Sequence, residues 1–148
     1  MAASFQGRRV WVDLNYNWGQ FYSGHVKTFE GSIGVNVNRH LNFRTDYFYN
    51  YVTTPQGNIA TNELAEFVNY AFNPKLDIAF FTQWNSLDEL LFGNLRLHWI
   101  PEVGEDLYIV YNRGYDKLKY LKFSEPASSS AAVKLVWRFV FQFLLAKH

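Results

Sequence analysis

Taken in steps of two, the chain alternates apolar and polar positions through eight successive segments, with little sign of a helical period. Val10, Val12, Leu14, Tyr16 and Trp18 alternate with Arg9, Trp11, Asp13, Asn15 and Asn17. After a turn near Ser23-Gly24, Phe29, Ile33, Val35 and Val37 alternate with Glu30, Ser32, Gly34, Asn36 and Asn38. The third segment is the cleanest, setting Leu41, Phe43, Thr45, Tyr47, Tyr49 and Tyr51 against Asn42, Arg44, Asp46, Phe48 and Asn50. In the fourth, about 59–72, Leu64, Val68, Tyr70 and Phe72 share a parity on which Glu66 also falls. A bulge shifting the register there is one solution, and a helical turn over 62–67 is the other. Past the turn signal Asn73-Pro74-Lys75, Leu76, Ile78, Phe80, Thr82 and Trp84 make a fifth segment, and Leu91, Gly93, Leu95, Leu97 and Trp99 a sixth. Pro101-Glu102-Val103-Gly104 turns the chain into a seventh, from Asp106 to about Asn112. A long polar connection, 113–130, leads to the last, where Val133, Leu135, Trp137, Phe139, Phe141 and Phe143 oppose Lys134, Val136, Arg138, Val140 and Gln142.

Eight strands with short connections and no internal boundary describe one all-β domain over residues 1–148. A soluble sandwich satisfies that count as well as a barrel does. Three features favour an antiparallel, up-and-down transmembrane barrel. The strands run about nine to twelve residues, where soluble strands usually have five or six, and nine to eleven tilted residues cross a bilayer. The apolar faces often end in rings that suit a lipid–water boundary: Trp18, Tyr49, Tyr51, Trp84, Trp99 and Trp137. The opposite faces carry Arg9, Asp13, Glu30, Arg44, Asp46, Asp77, Arg96, His98, Lys134 and Arg138 within the strands, so these point into a lumen if the apolar faces meet lipid. A closed eight-stranded barrel leaves room only for side chains, and these charges would pair into a plug. A wider barrel would use them to line water.

Composition agrees without deciding. Aromatic residues make up 20% of the chain, high enough to suit ring-lined strands. The longest apolar stretch, around 79–81, falls far short of a membrane helix, which leaves a barrel open. A net charge of +1, dispersed along the chain, excludes the basic footprint of a nucleic-acid binder. With no cysteine there is no disulfide framework and no thiolate metal site. The first five residues lack a signal peptide, which an exported barrel needs, so the chain is expected to derive from a longer precursor.

If the chain ends on the periplasmic side, the turns at Arg39-His40, 73–75 and 101–105 are periplasmic and short. The connections near Ser23 and at 54–58, 86–89 and 113–130 are then external and longer, as in bacterial barrels. Lys117, Lys119 and Lys122, interleaved with Leu118, Tyr120, Leu121 and Phe123, form a basic amphipathic external segment suited to lipopolysaccharide phosphates.

The final segment, Val133 through Phe143, resembles the C-terminal recognition strand of bacterial outer-membrane proteins. That implies insertion by the envelope's barrel-assembly machinery. Here residues 144–148 follow the terminal aromatic, a departure from the pattern. The run 94–99, followed by 106–116, with Asn69-Tyr70, Asn73-Pro74 and Gln83-Trp84-Asn85, is similar to the end of a bacterial family of unknown function. In that family a family 9-like carbohydrate-binding module precedes a C-terminal outer-membrane barrel. The resemblance implies that the chain is either the last eight strands of a larger barrel or a shorter relative that closes alone.

No motif points to chemistry. His25, His40, His98 and His148 contain no metal-spaced pair, and no metal or cofactor is expected. His98 sits on the polar face beside Arg96 and Asn94, where lumen hydrogen bonding suits it. Ser23 and His25 are the one candidate nucleophile pair, without a carboxylate nearby in sequence. Gly31 and Gly34 precede no helix and form no phosphate loop. The reading is therefore a structural or transport-related outer-membrane barrel, partnered by the bilayer and not an enzyme. The alternatives are a barrel enzyme acting on lipid or peptide at the external rim, and a soluble lipocalin-like barrel whose apolar face encloses a ligand.

Overall fold

The computed structural model describes residues 2–116 and 128–137. They form one antiparallel sheet in which every strand neighbours the next in sequence. The strands are β1 (Ala2–Ala3), β2 (Val10–Phe21), β3 (Gly24–Asn36), β4 (Leu41–Thr54), β5 (Gly57–Asn73), β6 (Leu76–Asn85), β7 (Leu90–Trp99), β8 (Asp106–Asp116) and β9 (Ser128–Val136). Seven expected strands are present, the eighth is described over Ser128–Val136 and so begins five residues earlier than expected, and the two-residue β1 joins them. The sheet is open: β9 pairs with β8 alone, and the outer edge of β2 is held by β1 through Ala2–Leu14 and Ala3–Asp13. Ser4 extends that contact, its N–H donating to the Val12 carbonyl at 2.8 Å while its Oγ accepts from the Val12 N–H at 2.8 Å.

Several expectations are corrected. β5 keeps its register through Glu66, which pairs with Thr45 on one side and Thr82 on the other, so neither a bulge nor a helical turn occurs there. The β5–β6 irregularity falls at 71–73 instead. Glu66 therefore stays on the apolar face, its carboxylate accepting from Thr45 Oγ1 at 2.7 Å. β8 runs on to Asp116, so the first part of the expected 113–130 loop is strand. Among the described connections the expected asymmetry is absent: residues 22–23, 55–56 and 86–89 join strands at one end as tightly as 37–40, 74–75 and 100–105 do at the other. The basic segment with Lys117, Lys119 and Lys122 lies outside the described residues, as do Arg138, Phe139, Phe141, Phe143 and residues 144–148.

Asparagine closes several of these turns by replacing backbone partners. Asn38 Oδ1 accepts from the N–H groups of His40 and Leu41, Asn73 Oδ1 from Lys75, and Asn85 Oδ1 from Leu87. Arg39 Nε donates to His40 Nε2 at 2.8 Å, which leaves His40 Nδ1 to donate to the Ala71 carbonyl at 2.7 Å and ties the 37–40 turn to β5.

Register fixes both the faces and the stagger. One row of paired residues crosses all eight long strands: Asp13, Ser32, Asp46, Ala65, Gln83, Phe92, Gly114 and Ser128. In β2 this row lies near the Val10 end, with eight residues beyond it toward Phe21. In β9 it falls on the first residue, with eight beyond it toward Val136. At that end, where Val10 and Val136 lie, the strands reach from three residues past the row in β2 to eight in β9, a stagger of the kind that closing a sheet into a cylinder requires.

Candidate functional site: the two faces of the sheet

The sheet's apolar face is the exposed one. Val10, Val12, Leu14, Tyr16 and Trp18 are all open to solvent, whereas Trp11, Asp13 and Asn15 between them are sheltered. Ile33, Phe43, Phe80, Leu95, Ile109 and Val133 continue the exposed apolar face along the other strands. Among the described residues Trp11 is the one buried hydrophobic side chain, 8% exposed, and it lies on the polar side. No second layer covers either face, so shelter comes from side chains crowding together, as in a sheet curling toward its polar side. In water each large apolar side chain left open forgoes about 1.5–3 kcal/mol.

The rings expected at a membrane boundary share the apolar face. Trp18, Tyr49, Tyr51 and Trp84 lie toward one end, and Trp99 and Trp137 toward the other. Trp18 is 72% exposed, the Trp137 ring 54%.

The polar face collects Asp13, Glu30, Arg44, Asp46, Asp77, Arg96, His98 and Lys134 by parity, as expected. Arg9 is in the loop before β2, where its carbonyl accepts from the Asn36 N–H at 2.8 Å. The expected neutralisation is only partly present. Arg44 Nε lies 3.1 Å from Asp46 Oδ2, with the guanidinium 3.8 Å above the Phe67 ring. Glu30 accepts instead from Asn15 Nδ2 at 3.2 Å. Asp13, Arg96 and Lys134 make no ion pair among the described residues. The signs are mixed: Asp13, Glu30, Asp46 and Glu63 lie on β2–β5 with Arg44 among them, and Asp77 and Asp106 are the diagonal neighbours of Arg96 and Lys134 across β6–β7 and β8–β9.

Glu63 is a residue the sequence reading passed over, because attention to Glu66 on the apolar parity hid the carboxylate on the opposite one. It accepts from Asn85 Nδ2 at 2.8 Å and Gln83 Nε2 at 3.3 Å. With Glu30, Ser32, Asp46 and Gln83 it lines a shallow recess of about 240 Å3. The sheltered face also holds rings. Phe67 and Phe81 are 4.7 Å apart and Phe92 is 6.4 Å from Phe81. Trp11 fills the space a side chain at Gly34 would need, which gives that glycine its purpose.

At the end bearing the 100–105 turn, His98 sits between two carboxylates. Its Nδ1 is 3.0 Å from Asp77 Oδ1 and its Nε2 is 3.0 Å from Asp106 Oδ1, while its ring stacks on Tyr108 at 4.2 Å. Asp106, at the start of β8, was read only as a strand boundary. No group of three or more metal-ligating side chains converges among the described residues. Ser23 occupies the 22–23 turn and His25 the start of β3, and neither is hydrogen-bonded to the other or to a carboxylate among the described residues. Comparison with known proteins adds no relative: no family model, curated sequence or solved structure matches the chain.

Proposed function

We propose that this chain is an outer-membrane β-barrel protein with a structural or transport-related role and no chemistry of its own. The observation that carries this reading is the difference between the two faces: apolar side chains lie open along every long strand, whereas the polar side chains of β2–β6 are mostly sheltered. A soluble lipocalin-like barrel requires the opposite, with its apolar face the protected one. An enzyme at the rim requires a nucleophile, base and orienting carboxylate together, and Ser23 and His25 supply no such group. Strand length fits a bilayer: twelve residues in β2 extend about 40 Å, or about 28 Å of depth when tilted by about 45°. The outward face then meets lipid, the polar face lines the lumen, and the last strand engages the assembly machinery, with lipopolysaccharide met at the basic segment 117–123.

In this reading β9 closes against β2. The slide of the strands along one another supports that closure, since a sheet closed into a cylinder must be staggered. One observation favours a second reading. β1 already lies antiparallel on the β2 edge, continuing the meander, as a strand of a larger barrel would. Refolding the purified chain into lipid vesicles, followed by gel migration with and without heating, tests the function. A compact, heat-sensitive band is expected. A chain that folds in buffer without any amphiphile would remove the membrane reading.

A further inference from the structure

Arg113 stands where the parity of its strand puts apolar side chains. β8 turns Leu107, Ile109, Tyr111, Arg113 and Tyr115 to the exposed face, and Arg113 is half-buried among its neighbours there. Directly across from it are Gly93 on β7 and Ser129 on β9, and the diagonal positions are Leu91, Leu95 and Ala131. None of these is acidic. Glu66, on the same face, is three strands away, about 14 Å, and its carboxylate is bonded to Thr45. Glu89 lies in the 86–89 turn, beyond the start of β7. Arg113 makes no ion pair among the described residues, and its Nε is shut off from solvent without a hydrogen-bond partner among them.

The glycine beside it opens a hollow. A Cβ at Gly93 would meet only the Arg113 carbonyl oxygen, at 3.8 Å, and the backbone there is ordinary strand, so neither crowding nor conformation calls for glycine. The missing side chain leaves a hollow of about 250 Å3, walled by Phe80, Leu91, Leu95 and Tyr111, with Arg113 at its side. The guanidinium carbon lies 5.0 Å from the centre of the Tyr115 ring, so the charge is turned toward the nearer end of β8. Trp84, Leu91 and Tyr115 form the next paired row in that direction, a ring-bearing boundary just beyond the charge. In the other direction Phe80, Leu95 and Tyr111, then Ile78, Leu97 and Ile109, continue the face without a charge. With strands tilted by about 45°, a residue three places from the end of β8 lies about 7 Å below it, within reach of lipid headgroups for a side chain as long as arginine.

We propose that Arg113 and the hollow over Gly93 bind the phosphate of a membrane lipid whose acyl chains run down the face over Phe80, Leu95 and Ile109. The proposal rests on the membrane reading and gives its lipid-facing wall one specific ligand. Charge and shape match along a single line: a cation at headgroup depth, an opening beside it, and an uncharged apolar track below. A guanidinium takes two phosphate oxygens through paired N–H groups, and an anion seated there gives idle donors a partner. The Tyr111 hydroxyl accepts from Ser129 Oγ at 3.3 Å, which leaves its own O–H to donate to the same anion. A free anion would satisfy Arg113 but leave the apolar track unused.

Native mass spectrometry of the full chain, refolded in dodecyl maltoside, reads the site in a detergent that carries no phosphate. The probes are dioleoyl phosphatidic acid, dioleoylglycerol with the same chains and no phosphate, and inorganic phosphate. Gel migration of each sample with and without heating reports the fold. Wild type should retain one phosphatidic acid, should not retain dioleoylglycerol, and should not release the lipid to inorganic phosphate. Arg113→Gln should lower the occupancy at least about tenfold, and Arg113→Lys, which keeps the charge but loses the fork, by less. Gly93→Val, which fills the hollow and keeps the arginine, should lower it about as far as Arg113→Gln. Undiminished retention by Arg113→Gln or Gly93→Val, or equal retention of dioleoylglycerol by wild type, would overturn the site, while a compact, heat-sensitive band leaves the barrel standing. Displacement of the lipid by inorganic phosphate would also overturn it, reducing the site to a bare anion contact. A wild type that gives no compact band, or that folds with no amphiphile at all, would overturn the membrane reading and the site with it.

Discussion

Leu95→Arg puts the orientation of the sheet at risk with one substitution. Leu95 sits in the middle of β7 on the apolar face, between Phe80 and Tyr111, and is 45% exposed. On a solvated surface, an arginine there should change stability by no more than about 0.5 kcal/mol, because it disturbs no packed core. On a lipid-facing strand near the bilayer midplane, it costs about 2–4 kcal/mol. Every 1.4 kcal/mol is tenfold, so the folding equilibrium constant should fall roughly 30- to 700-fold. Leu107→Arg supplies the depth control. Leu107 shares the face but is the second residue of β8, near the headgroups, where the cost drops to about 0–1 kcal/mol. Reversible urea unfolding from lipid vesicles, followed by tryptophan fluorescence, measures both. The reasoning fails if Leu95→Arg costs under about 0.5 kcal/mol, or if the two variants cost the same, since a lipid-facing strand must distinguish depth.

Three further outcomes follow from particular contacts. Gly34→Ala forces the Trp11 ring off its seat and should destabilise by about 1–3 kcal/mol, with a changed Trp emission spectrum in the folded state. His98→Ala leaves the Asp77 and Asp106 carboxylates facing each other without a donor and should cost about 1–2 kcal/mol in the same unfolding assay, whereas Asp77→Asn with His98→Gln, which keeps a hydrogen bond, should recover part of it. Glu66→Leu removes a carboxylate from the apolar face at the loss of one bond to Thr45, and should stabilise the vesicle-folded state by up to about 2 kcal/mol. A destabilised Glu66→Leu would mean that this carboxylate has a polar environment rather than lipid around it.

Much of the fold was legible because a strand's side chains have a period of two, and a chain that keeps it over eight segments has few other solutions. β4 shows this best, with Leu41, Phe43, Tyr47, Tyr49 and Tyr51 on one face and Asn42, Arg44, Asp46 and Asn50 on the other. Where the sequence misled, the cause was a residue breaking the pattern without breaking the strand. Glu66 suggested a bulge because a carboxylate on an apolar face is costly, yet Thr45 and Thr82 flank it across both neighbouring strands, and sequence spacing does not reveal such cross-strand partners. Eight of the ten expected polar-face residues share one face, Arg9 lies in the loop before β2, Arg138 lies outside the described residues, and the expected balanced pairs are only partly present. Parity says which face a charge occupies and set Asp46 beside Arg44 two residues along β4, but only register shows that Asp77 and Asp106, the diagonal neighbours of Arg96 and Lys134, meet His98. The aspartates around His98 were hidden for the same reason: Asp77 and Asp106 come from two different strands.

The orientation of β4 carries the central claim, and spin-label scanning tests it most directly. Nitroxides attached at single cysteines placed in turn from Leu41 to Tyr51, in vesicle-folded protein, are relaxed by oxygen dissolved in lipid or by a nickel chelate confined to water. The odd positions, Leu41, Phe43, Thr45, Tyr47, Tyr49 and Tyr51, should be open to oxygen, and the even positions, Asn42 through Asn50, should not, with a period of two. Odd positions open to the nickel chelate along the whole strand, or no alternation at all, would contradict a sheet that turns its apolar face to the membrane.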